Sequence, residues 1–169
     1  MEIIKYSAMG LILIATSYVG ILLANKYTNR VKELKQMKIA LSLFATKIKF
    51  TYEPIPQIFQ EIAGKTQTIT SKIFQLASEK MEEKEAGTAW LEALEIQNNV
   101  MNKEDKEVLK GLSNLLGKVD LDGQIREIEL VNTFLNTQIE KAEQESKKNV
   151  KMYKTLGITA GLAIVVVLI

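Results

Sequence analysis

Residues 7–24 read SAMGLILIATSYVGILLA, eighteen consecutive positions without a charge, and the reading of this stretch decides the fold. As a helix, with Tyr6 added, it extends about 28 Å, close to the thickness of a bilayer's hydrocarbon core. It is long enough to span. A cleaved signal peptide is the rival reading, with Lys5 as its basic region and Ala15-Thr16-Ser17 as a small-residue site, but the apolar run continues to Leu23. The excess of positive charge follows the run, as it does behind a retained anchor. At the other end TLGITAGLAIVVVLI, residues 155–169, forms about 22 Å of helix, lengthened by Met152 and Tyr153 while Lys151 and Lys154 reach toward headgroups. A buried core helix is the alternative there. A charge-free, β-branched tail placed behind four lysines argues for a second span.

Charge orders what lies between. From Lys26 to Lys49 seven basic residues face one acid, Glu33; residues 53–145 hold ten basic and eighteen acidic residues; residues 147–154 add four lysines and no acid. Cations just inside both apolar runs, with almost none outside them, predict that both ends point outward and the middle stays cytoplasmic. The predicted organisation is a transmembrane helix over residues 1–25, a cytoplasmic six-helix bundle over 26–154, and a transmembrane helix over 155–169. The lipid bilayer is thus the first partner. A nucleic-acid binder would carry its basic residues on one reading face instead of beside apolar runs, so no nucleic-acid partner is expected.

Composition removes most enzyme classes. Histidine and cysteine are both absent, which excludes disulfides, thiolate nucleophiles, imidazole bases and zinc sites built on nitrogen or sulfur. No phosphate-cradling glycine loop of the GxxxxGK[ST] or GxGxxG type occurs, and there is no GxSxG nucleophile turn. No enzyme activity, cofactor, metal or small-molecule substrate is expected.

With two prolines, nine glycines and no sustained β-alternation, the chain reads as all-α, a bundle of about six helices whose long first and last members continue into the spans. Val31, Leu34, Met37, Leu41, Phe44, Ala45 and Ile48 keep helical spacing until Pro54 and Pro56 stop the first helix. Ile58, Phe59, Ile62 and Ala63 mark a short second helix ending at Gly64, read as a left-handed cap. Ile73, Phe74, Leu76 and Ala77 mark a third, over residues 70–81. Thr88 is read as the cap of a fourth, bearing Trp90, Leu91, Leu94 and Val100. Asn102 caps a fifth, which carries Val108, Leu109, Leu112, Leu115 and Leu116 and closes at Gly117. From Leu121 through Ile125, Ile128, Val131, Leu135, Ile139 and Ala142 a near-heptad pattern makes a coiled-coil-like last helix, antiparallel to the first.

Few constellations bear on function. Gly157 and Gly161 form a GxxxG, and Gly20 with Ala24 repeats its spacing, so these four residues are the predicted packing positions of the spans, between the two spans of one chain or between copies in a homo-oligomer. Asp120, Asp122, Gly123 and Glu129 imitate part of a calcium loop, but Lys118 stands where its first carboxylate belongs, and a helix N-cap is the better reading. Glu79, Glu82, Glu83 and Glu85 are solvated acids without the inward Glu-x-x-His pairs of a di-iron bundle. The alternative to a merely solvated face is an electrostatic dock for a basic cytoplasmic partner, and Trp90, a core anchor by its chemistry, is the aromatic residue such a surface would use.

Several segments together resemble the stage III sporulation protein AB family of endospore-forming bacteria. They are Tyr27-Thr28-Asn29-Arg30 followed by Leu34; Glu53-Pro54-Ile55-Pro56 followed by Phe59, Ile62 and Ala63; and Thr88-Ala89-Trp90. Leu115-Leu116-Gly117 with Asp120 and Gln124, and Met152-Tyr153-Lys154-Thr155-Leu156-Gly157, complete the set. The resemblance implies a bundle similar to the cytoplasmic domain of the type II secretion platform protein. It also implies a non-enzymatic part of a secretion-like channel between mother cell and forespore during engulfment. The partners implied are an ATPase of that apparatus and its other membrane components, with the soluble segment on the mother-cell side of the outer forespore membrane. A membrane-tethered helical sensor or regulator is the competing reading.

Overall fold

The computed structural model describes residues 2–51, 53–65, 67–97, 100–114, 116 and 121–168. Among the described residues the chain forms six α-helices and one short 3₁₀ turn, with no strand. The helices are α1 (Glu2–Thr51), α2 (Ile55–Gly64), α3 (Ile69–Lys80), α4 (Ala86–Gln97), α5 (Lys103–Lys110) and α6 (Leu121–Leu168), with the 3₁₀ turn at Gly111–Asn114 after α5. The all-α expectation with long first and last helices holds. The chain divides into two compact units, residues 32–140 and the paired termini 1–31 with 141–169. These divisions follow compactness, whereas the boundaries at 25 and 154 follow hydropathy, so the two sets mark different physical quantities.

In the unit of residues 32–140 the core is aromatic. Phe44 of α1, Phe59 of α2, Phe74 of α3 and Trp90 of α4 are fully buried, and their rings meet edge to face with centroids 4.7–5.9 Å apart. That geometry sets the positive edge of one ring against the negative face of the next. Leu34, Met37, Leu41 and Ile48 extend the core along α1, and Ile128, Val131 and Leu135 along α6, as the sequence periodicity requires. Ser42 and Asn132 are bonded side chain to side chain at 3.3 Å, and Lys38 donates to Asn136 at 2.6 Å, so α1 and α6 run antiparallel here.

Buried polar groups fix how the short helices dock. The Glu33 carboxylate is 7 % exposed and accepts from the Thr70 backbone N–H at 3.0 Å and from its hydroxyl at 3.1 Å. A negative charge is thereby held at the first turn of α3, where the helix dipole favours it. Ser78 donates to the Pro56 carbonyl at 2.9 Å, tying α3 to the start of α2. Trp90 Nε1 donates to the Leu109 carbonyl at 2.8 Å, tying α4 to α5.

Several element ends differ from the sequence expectation. Gly64 is the last residue of α2 and not a left-handed cap; Lys65 follows in the right-handed region, φ −81°, and its N–H bonds back to Ile62. The fourth helix begins at Ala86 instead of after Thr88, because the Glu85 carbonyl already accepts from the Ala89 N–H at 2.9 Å, and it ends at Gln97, before Val100. The fifth helix has its Asn102 cap, reciprocated by Asp105, but changes to 3₁₀ pitch at Gly111. Its expected closure at Gly117, and a cap at Asp120, lie outside the described residues. Asp122 stands in the first turn of α6 and does not cap it.

Candidate functional site

The paired termini are built around close backbone approach. A Cβ placed on Gly20 would stand 2.6 Å from the Tyr153 carbonyl oxygen and 3.1 Å from Gly157 Cα. One placed on Gly157 would stand 2.8 Å from the Thr16 carbonyl oxygen, and one on Gly161 would overlap the Thr16 hydroxyl. Ala24 is buried on the same side of α1. All four predicted packing residues therefore lie in one antiparallel α1–α6 seam within this unit, where only small side chains permit the contact. Gly10 stands in open space and takes no part.

Two residues of the seam went unrecognised in the sequence. Thr16 continues the spacing of Gly20 and Ala24 by one more step of four, which was the available signal. Its hydroxyl donates to the carbonyls of Ile12 and Leu13 at 3.0 and 3.1 Å, so it meets its hydrogen-bonding need inside its own helix. Tyr153 stacks on Tyr27 with ring centroids 5.8 Å apart. Beyond these rings Arg30, its side chain 8 % exposed, pairs with Glu145 at 2.7 Å, so the residue closing the seam at that end is neutralised.

Both helices are long and apolar enough to cross a membrane, and only 17 % and 6 % of their most apolar stretches are buried. Leu11, Ile14, Tyr18 and Val19 on α1, and Leu162, Val166 and Val167 on α6, are exposed. A contiguous apolar surface of this kind marks a membrane or protein contact.

The acidic residues collect at the α3–α4 connection. Glu79, Glu82, Glu83 and Glu85 are all exposed; Glu79 accepts from Gln75 at 3.0 Å. The two lysines interleaved with them are already engaged. Lys80 and Lys84 both bond Glu92 of α4, at 2.7 and 2.6 Å, and these two cations hold the Glu92 carboxyl at about 2, well below its ordinary 4.5. With both ammoniums drawn toward Glu92, and four acids against two lysines, the connection presents a net negative surface. Lys106 and Lys110 are drawn in the same way onto Glu95, whose carboxyl is also lowered, chiefly by its bond from Lys110.

Trp90 does not share that surface. It is wholly buried, so it belongs to the core, and the exposed candidates are the four acids. Among the described residues no group of three or more acids stands close enough to hold a metal ion.

A profile of the stage III sporulation protein AB family matches residues 5–169. Stage III sporulation protein AB of Bacillus subtilis (strain 168) is 32 % identical over 161 residues, which cover 93 % of this chain and 94 % of that protein. A solved structure of stage III sporulation protein AB superposes with a TM-score of 0.65 at 27 % identity, over 70 % of this chain and 96 % of its own.

Proposed function

The chain belongs to the stage III sporulation protein AB family, and on that premise we propose that it is a non-enzymatic membrane platform subunit of a secretion-like channel between mother cell and forespore. Its two terminal helices cross the bilayer, and residues between them dock a cytoplasmic ATPase on the mother-cell side. The exposed apolar surfaces of the paired termini and the lysines just inside both runs support the membrane placement.

The observation that carries the docking role is the pairing of Lys80 and Lys84 with Glu92. A sequence with alternating Glu and Lys would ordinarily present a mixed surface. Here the cations are turned onto one carboxylate and Glu79, Glu82, Glu83 and Glu85 are left as a one-signed patch, the arrangement that steers a basic partner. The test is capture of the ATPase by the full chain in detergent. Binding is expected to weaken as salt rises, and to be lost on reversing Glu82, Glu83 and Glu85 to lysine. Retention of full binding in that triple variant refutes the docking surface.

A further inference from the structure

The glycine seam has a second consequence on its flank. Where Gly20 and Gly157 bring two backbones together, the larger neighbours overhang a floor that has no side chains. The result is an open apolar groove of about 420 Å³ between Ala15, Val19 and Leu23 on α1 and Tyr153, Leu156 and Ala160 on α6. Its volume falls in the range of pockets that hold one small amphiphile. In a bilayer no water would enter it, and a vacant slot would forfeit dispersion contacts along both walls.

One end of the groove is different in chemistry. Lys26 lies seven residues after Val19 and eleven after Ala15, the spacing of a single helix face, and it is exposed with no ion pair among the described residues. The nearby Arg30 is held by Glu145, which leaves Lys26 as the uncompensated cation on the α1 side of that end, with Lys151 and Lys154 exposed on α6. The stacked rings of Tyr27 and Tyr153 sit beside it, amphipathic groups of the sort that settle at the depth of lipid headgroups. An apolar slot leading to two aromatic rings and a free ammonium matches an acyl chain joined to an anionic head. A helix from a second copy would fill the slot but leave the cation unused.

We propose that this groove is a binding site for one anionic phospholipid, with an acyl chain between Leu23 and Leu156 and the phosphate at Lys26. The site rests on the membrane reading given above. Its test uses the full chain in nanodiscs doped with phosphatidylglycerol or phosphatidylcholine, each carrying a photoreactive diazirine in the acyl chain, and peptide mapping of the adducts. Adducts are expected to concentrate on residues 15–23 and 153–160, with phosphatidylglycerol favoured about fivefold, the equivalent of ~1 kcal/mol for one lysine near an anionic head. Ala160→Phe, which fills the groove, should abolish this concentration. Lys26→Gln should reduce the preference for phosphatidylglycerol while leaving the adducts in place, and an unchanged preference overturns the assignment of the phosphate to Lys26. Adducts spread evenly over outward residues such as Leu162 and Val166, or crosslinks between chains at Ala15 and Ala160, overturn the site. Loss of the chain from the nanodiscs on alkaline washing overturns the membrane reading along with it, and is read separately from the adduct map.

Discussion

Gly87→Ala sets two known effects against each other, and the structure decides the sign. In a helix alanine is favoured over glycine by at most about 1 kcal/mol, and Gly87 stands in the first turn of α4, so α4 taken alone gains no more than that from the change. Gly87, however, lies against the 3₁₀ turn: a Cβ there would overlap the Ser113 carbonyl oxygen and stand 3.0 Å from its carbonyl carbon. The obstacle is backbone, and Ser113 is braced by its hydroxyl's bond to the Lys110 carbonyl at 2.7 Å, so it cannot swing aside as a side-chain tip would. Overpacking a core costs about 1–3 kcal/mol, and a backbone overlap belongs at the upper end. Setting ~3 against ~1 leaves a net loss of about 2 kcal/mol. With a urea dependence of about 1–3 kcal/mol per molar, the unfolding midpoint should fall by roughly 1 M. Trp90, the sole tryptophan, stands three residues further along α4 and reports the transition by fluorescence in the detergent-solubilised full chain. Gly64→Ala is the control, since no atom lies within 4 Å of its added Cβ, and it should raise the midpoint. If Gly87→Ala raises the midpoint as well, the close packing of α4 on the 3₁₀ turn is refuted.

Two further perturbations address polar contacts. Glu92 keeps its charge down to about pH 2 in the folded chain against an ordinary 4.5, so its stabilisation is complete above about pH 4.5 and disappears as pH falls through about 2. The urea midpoints of the wild-type chain and Glu92→Gln should therefore differ near neutral pH and converge toward about pH 2; a constant gap contradicts the pairing with Lys80 and Lys84. Glu33→Ala orphans the N–H of Thr70, leaving its hydroxyl only the Glu33 backbone carbonyl at 3.3 Å, and should cost about 1–3 kcal/mol, read as a lowered urea midpoint. Glu33→Gln keeps an acceptor and should cost less, and equal losses in the two variants would show that Thr70 does not depend on that acceptor.

What the sequence disclosed depended on whether a feature repeats along a helix or joins distant segments. The core stripe of α6, Ile128, Val131, Leu135, Ile139 and Ala142, is buried as its spacing requires, because one face of one helix carries all of it. Asn102 was legible as a cap since its reciprocal partner, Asp105, is three residues away. The box at the start of α3 uses Ser71 as its third residue in place of the usual Glu or Gln, and that helix begins a residue early, at Ile69, with Thr68 as the cap. Thr88 imitates a cap more closely than Glu85 does. Local chemistry favours Thr88, and the helix starts at Ala86 all the same, where Gly87 can meet Ser113.

The seam residues Gly20, Ala24, Gly157 and Gly161 announced themselves because small residues four apart carry a geometric meaning independent of their partner. Gly87 carried no such sign, its partner being a carbonyl twenty-six residues away. The acidic connection lies between these cases. Its four glutamates were countable in the sequence, and so were Lys80 and Lys84, and the count gives an acidic excess of two with the cations interspersed. The position of Glu92 one helix later, within 2.7 Å of both lysines, draws those cations toward α4 and sharpens the negative field that the composition already sets. The electrostatic character of this surface thus depends on the α3–α4 pairing as well as on residues 79–85. On the docking reading, neutralising Glu92 should weaken capture of a basic partner even though Glu92 need never touch it.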